Sequence, residues 1–118
     1  MVRIEQLAEA ALKGEGVLLR SLVQDFFREN PSLVDIPKPA VNDRHVLAAS
    51  ASFLELFSSR LKQDAPHWTK EVGPLTEPIF LLKAAATMKR LRQLCETESP
   101  EPLRKRGFYA PPNYLEFA

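Results

Sequence analysis

The sequence predicts an all-α fold: a compact bundle of about five helices, a proline-rich connector, and an aromatic C-terminal tail docked on the bundle. Three observations carry this. Leu (17) and Ala (13) far outnumber Val, Ile and Thr together (14), and unbranched side chains lose less freedom in a helix than β-branched ones. Apolar residues recur at three- and four-residue spacing over several segments. Ten prolines cut the chain into pieces of helical length. At 118 residues the chain suits one domain, residues 1–118, with a helical body over 1–107 and a tail over 108–118.

The first helix is expected over about residues 3–13, where Ile4, Leu7, Ala8, Ala11 and Leu12 form one stripe. Gly14 suits a left-handed stop. The second covers about 16–29, with Leu19, Leu22, Val23, Phe26 and Phe27 on its apolar side. Asn30 before Pro31 ends it, because a residue preceding proline is driven out of the helical region. Residues 31–41 read as an extended connector, with Leu33, Val34 and Ile36 on the core.

The third helix, about 43–63, is the longest and is expected to be central. Asn42 reads as its N-cap, with Val41 and Val46 placed for a hydrophobic staple. Its stripe runs through Val46, Ala49, Ser50, Phe53, Leu54, Phe57 and Leu61. A loop follows over 64–76. Thr76 can then cap a fourth helix with Pro78 in its first turn and a nearly all-apolar run from Ile79 to Ala86. Thr87 marks a break. From Met88 to about Thr97 a further segment sets Met88, Leu91, Leu94 and Cys95 on one face and Lys89, Arg90, Arg92 and Gln93 on the other. Ser99-Pro100 signals a one-turn helix closed by Gly107.

Sixteen basic and fifteen acidic residues give a net charge of +1, which excludes a general polycation drawn to nucleic acid or acidic lipid. The apolar share, 45%, excludes a disordered chain. The longest apolar runs fall far short of the ~20 residues that span a bilayer. Cys95 is the only cysteine, so no intrachain disulfide and no multi-cysteine metal site can form. A lone thiol suits a reducing compartment, and the expected location is the cytoplasm. With four glycines and no phosphate-loop, dinucleotide or nucleophile-elbow motif, neither an enzyme nor a bound cofactor or metal is expected.

Charge and aromatic residues are unevenly spread. Residues 83–106 carry seven basic and three acidic side chains, a local excess of +4. Four of the ten aromatics, Phe108, Tyr109, Tyr114 and Phe117, then fall within ten residues. An exposed patch of that kind is avoided by soluble proteins, so the tail is expected to pack on its own helices or on another chain. Trp68 suits either closure of the core or an interface anchor. Cys95 reads as a buried, inert thiol. His45 reads as a solvated first-turn residue, and His67 as a loop contact beside Trp68.

Two segments also carry a resemblance: W-T-K-E-V-G-P-L-T-E-P from Trp68 to Pro78, and S-P-E-P-L-R-K-R-G-F-Y-A-P-P-N-Y-L from Ser99 to Leu115. They resemble an uncharacterised family of short helical bacterial proteins ending in S-P-x-P-L-R-x-R-x-F-x-A-P-P-N-Y-L. Such proteins are associated with nucleotidyltransferase-like partners in pairs similar to toxin–antitoxin systems. The resemblance implies a binding or regulatory role, antitoxin-like, and supplies no catalytic residues.

Three functions follow as expectations. The first is a non-enzymatic interaction module that holds a protein partner through Trp68, Arg104, Lys105, Arg106, Phe108, Tyr109 and Tyr114, with homo-oligomerisation through the tail left open. The second is nucleic-acid binding by Lys89, Arg90 and Arg92 around the break at Thr87. The third is a small enzyme using His67 and a tail tyrosine, which requires a pocket holding His67 and a second polar group.

Overall fold

Leu7 and Ala8 are wholly buried and Ile4 and Ala11 nearly so, all on one side of helix α1 (Ile4–Lys13). The computed structural model describes residues 1–116. Gln6 begins α1 by accepting the Arg3 N–H on its side-chain oxygen at 2.8 Å. Gly14, at φ 72°, ends it in the left-handed conformation that glycine adopts without steric cost. Helix α2 (Gly16–Glu29) buries Leu19, Val23 and Phe26. Asn30 closes it as expected, its side-chain amide donating to the Phe26 carbonyl at 3.0 Å.

Helix α3 (Arg44–Leu61) is the central element. α1, the one-turn helix Glu101–Arg104 and the first of two 3₁₀ helices (His67–Glu71) all pack against it, and α2 lies on α1. From Val46 to Ser58 nearly every side chain is buried, which only a helix covered on most sides can sustain. Phe57 joins α2 to α3: its ring meets Phe27 edge-on at 4.7 Å and Phe26 at 6.3 Å. The cap differs from expectation. Asp43, not Asn42, is the N-cap, and its carboxylate accepts from the N–H groups of His45 (2.8 Å) and Val46 (3.4 Å). Val41 and Val46 are therefore one position out of register for a staple. In the connector, Leu33 is buried and Ile36 half-buried, but Val34 faces solvent. Gln63 pins this segment, accepting from Leu33 N–H and donating to the Pro31 carbonyl.

The predicted helix over Thr76–Ala86 does not form. Its place is taken by strand β1 (Ile79–Phe80) and a second 3₁₀ helix (Lys83–Ala86). Pro74 and Pro78 disfavour helical backbone at the residues before them, and the N–H groups of Ile79 and Leu81 find carbonyls elsewhere. Ile79 donates to Gly107 at 2.8 Å and Leu81 to Tyr109 at 3.0 Å. Strand β2 (Phe108–Tyr109) thus runs parallel to β1, with Ile79 opposite Phe108 and Phe80 opposite Tyr109. Between them lie helix α4 (Lys89–Glu98) and the one-turn helix α5 (Glu101–Arg104). Thr87 marks the break before α4 as expected, its hydroxyl donating to the Ala84 carbonyl.

Ser99 does not cap α5; Pro100 occupies that position. The Ser99 hydroxyl instead lies against the Cys95 carbonyl and against both backbone groups of Ala110, accepting from its N–H at 2.9 Å and facing its C=O at 3.0 Å. One side chain so ties the end of α4 to the tail. The tail is docked on the bundle: Phe108, Ala110, Tyr114 and Leu115 belong to the same apolar core as α1, α2 and α3. Phe117 lies outside the described residues. Among the described residues no helix is long and apolar enough to cross a membrane.

Candidate functional site

The basic triplet after α5 splits between inside and outside. Arg106, expected at a partner surface, is only 3% exposed. A buried guanidinium needs acceptors for all five N–H groups, and this one has them. Nη1 and Nη2 clasp Glu55 of α3 at 2.6 and 3.1 Å. Nη2 also donates to Thr69 O (2.6 Å), Nε to Val72 O (3.1 Å), and Nη1 to Pro102 O (3.5 Å). Lys105 reaches the same carboxylate, Nζ to Oε1 at 2.8 Å, from a partly exposed position. Burial pushes the Glu55 carboxyl up, but hydrogen bonds from Arg106 and Lys105 outweigh it and hold the group below its ordinary value. Arg104 is exposed, with no ion pair among the described residues.

The aromatic candidates likewise serve the fold first. Phe108 is fully buried, and Tyr114 sits against Phe53 with ring centroids 6.2 Å apart. Burial drives the Tyr114 hydroxyl well above its ordinary pKa, so it stays neutral. Trp68 is half-buried and donates its indole N–H to Ile36 O at 2.8 Å, which fastens the connector. The expected partner surface of Arg106, Phe108 and Tyr114 is thus already occupied within the chain. Only Arg104, Lys105 and the outer parts of Trp68 and Tyr109 remain accessible.

Helix α4 brings the second candidate set to the surface. Lys89, Arg90 and Arg92 are all exposed. Arg92 has two internal partners: Glu96 at 3.0 Å, and the face of Phe80 at 5.0 Å. Phe80 in turn stacks on Tyr109 at 5.3 Å and 27°. This Arg92–Phe80–Tyr109 stack joins α4 to the strand pair, where sequence reasoning had assigned Arg92 and Tyr109 to separate functions. Lys89 and Arg90 have no such partner among the described residues. They stand in the first turn of α4, which has no side-chain cap and no acidic residue. Cations there oppose the positive helix end. On the other face, Cys95 alone is fully buried. Leu91 and Leu94 are half-covered and Met88 is 56% exposed.

The two histidines do not meet the tail. His45 lies 3.2 Å from Glu77 and near Asp43. His67 is exposed and lines a groove of about 760 Å³ with Glu55, Ser58, Asp64, Lys70, Glu101 and Lys105 among its neighbours. The groove supplies polar groups, but neither Tyr109 nor Tyr114 lines it. The expected pairing of His67 with a tail tyrosine is therefore absent. Cys95 is buried, and desolvation followed by the Glu96 charge raises its thiol pKa away from the reactive thiolate. Among the described residues no cluster of three or more His, Cys, Asp or Glu could hold a metal ion.

Sequence reasoning missed Glu55, Phe80 and Lys70. Glu55 carried a visible signal, being the only charged residue between Val46 and Ser59, and a lone acid in a buried run calls for a cation. No protein-family model, no curated protein and no solved structure matches the chain, so its own surface supplies the grounds for a function.

Proposed function

We propose that the chain is a non-enzymatic interaction module whose docking element is α4, and that it takes an acidic protein partner. One observation carries this: the start and apolar side of α4 are incompletely covered, with its N-cap residue Met88 56% exposed beside the unpaired Lys89 and Arg90, and Leu91 and Leu94 only half-covered. A ten-residue helix is marginal alone and draws its stability from packing, and α4 buries only one residue fully. Met and Arg are enriched at protein interfaces. A partner with carboxylates around an apolar centre would cover Met88 and neutralise the first turn. The C-terminal strip contributes Arg104 and Lys105 at most, since Arg106, Phe108 and Tyr114 are committed to the fold.

The resemblance adds that this partner is a nucleotidyltransferase-like protein encoded beside the chain, toward which it acts as an antitoxin does. Co-expression of the tagged chain with the neighbouring gene product tests both points. Co-purification is expected from the parent chain and not from K89E/R90E, two exposed substitutions that place acids at the positive helix end and so should not lower the melting temperature. A K89E/R90E variant that still holds the partner excludes α4 as the docking element.

The uncapped, cation-bearing first turn also favours a second reading, nucleic-acid binding by Lys89 and Arg90 with Arg92 beside the Phe80–Tyr109 stack. That reading expects oligonucleotide affinity that falls steeply as salt rises. No binding at low salt removes it.

A further inference from the structure

Away from α4, the 3₁₀ helix His67–Glu71 and the turn after α5 border a shallow, open hollow of about 400 Å³ lined by Lys70, Val72, Gly73, Pro74, Lys105 and Arg106. Three of these six residues are cations, and no carboxylate lines it. The one acid paired with these cations is Glu55, which lines the adjoining His67 groove and is shared by Lys105 and Arg106. Three cations against one carboxylate leave an excess of two positive charges at a single surface hollow. Lys70 has no ion pair among the described residues.

We propose that this hollow binds the phosphate group of a small phosphomonoester. The division of labour follows from hydrogen-bond capacity. Arg106 is 3% exposed and its N–H groups are spent on Glu55 and three backbone carbonyls, so it supplies fixed positive charge and no donor. Lys70 keeps all three ammonium protons. Lys105 keeps two, its third facing Glu55. Up to five ammonium protons therefore remain available on two residues that line one hollow, beside an arginine fixed by its own hydrogen bonds. The excess of two charges matches a phosphate dianion, and a hollow near the lower end of the usual ligand range suits a small molecule. The adjoining His67 groove shares Lys70 and Lys105 but adds Glu55, Asp64 and Glu101, which repel an anion, so the acid-free hollow is the favoured side.

Inorganic phosphate and glycerol phosphate are the probes, titrated into the full chain in low-salt buffer and followed by calorimetry and by amide NMR shifts. Saturable binding of both is expected, with the largest shifts at residues 70–74 and 105–106. Lys70→Gln should keep the parent melting temperature and weaken both ligands at least about tenfold, whereas Lys13→Gln, at an exposed lysine that lines neither hollow nor groove, should bind as the parent does. Absence of saturation, equal affinity in Lys70→Gln, or an equal loss in Lys13→Gln would overturn the assignment, the last by showing only diffuse attraction to positive charge.

Discussion

Arg106 clasps Glu55 through both terminal nitrogens, at 2.6 and 3.1 Å, across 51 residues of chain. This bidentate pair joins the central helix to the turn that starts the tail. Its worth lies in geometry, because desolvating two charges is repaid only when every donor and lone pair is used. Replacing Glu55 with Ala strands a buried guanidinium and should cost about 3 kcal/mol in urea unfolding. Arg106→Lys keeps the charge but loses the fork, and should fall between the parent and Arg106→Ala.

The same pair sets an acid limit on stability. The Glu55 pKa is lower in the folded chain than its ordinary 4.5, so its contribution is complete above about that pH. It is lost as pH falls through the lower folded value. Glu55→Gln should therefore be less stable at neutral pH and show a shallower loss on acidification. Urea melts from pH 7 to pH 3 would check this, and parallel curves would contradict it.

The two neighbouring tail aromatics should respond differently to truncation. Phe108 is fully buried in the core, and Phe108→Ala is expected to cost about 3–5 kcal/mol. Tyr109 is half-buried and stacks on Phe80, so Tyr109→Ala should cost about 1 kcal/mol, and more of its effect should fall on α4. Denaturant midpoints, with amide exchange of residues 89–98 as the local readout, separate the two.

Ser99 makes a prediction that its exposed neighbours do not. Its hydroxyl accepts from the Ala110 N–H and has one proton to give to the Cys95 and Ala110 carbonyls. Ser99→Ala leaves the buried Ala110 N–H unpaired and should destabilise by about 1–3 kcal/mol. Ser99→Thr keeps the hydroxyl and should recover part of that loss.

Cys95 should be chemically silent in the folded chain. Burial and the raised thiol pKa both disfavour the thiolate, so alkylation by iodoacetamide at pH 8 should be at least roughly tenfold slower than in the urea-unfolded chain. Equal rates would place the thiol at the surface.

The helices of the first half were legible because their signals are local. The stripes of α1, α2 and α3 and the stop at Gly14 depend on residues within one or two turns of each other, and they form as expected except at Leu61, which lies at the end of α3 just before its left-handed cap and is 48% exposed. The cap of α3 missed by one residue because Asn42 and Asp43 are both good caps, and only geometry decides between them. Asp43→Ala should therefore lower the melting temperature, and Asn42→Ala should not. Ile79–Ala86 failed for the opposite reason. Its apolar run was read as helix, while the groups that hold it extended, the carbonyls of Gly107 and Tyr109, lie nearly thirty residues away. The binding strip was misread similarly. Arg106 looks like its neighbours Arg104 and Lys105 until Glu55 is brought beside it by tertiary packing.

The parallel strand pair carries a consequence for the order in which the molecule is made. β1 must wait for β2, and Glu55 for Arg106, both of which come later in the chain. Residues 106–109 act as a clasp, and until they are in place the seam beside α3 stays open and the Glu55 carboxylate lacks its arginine.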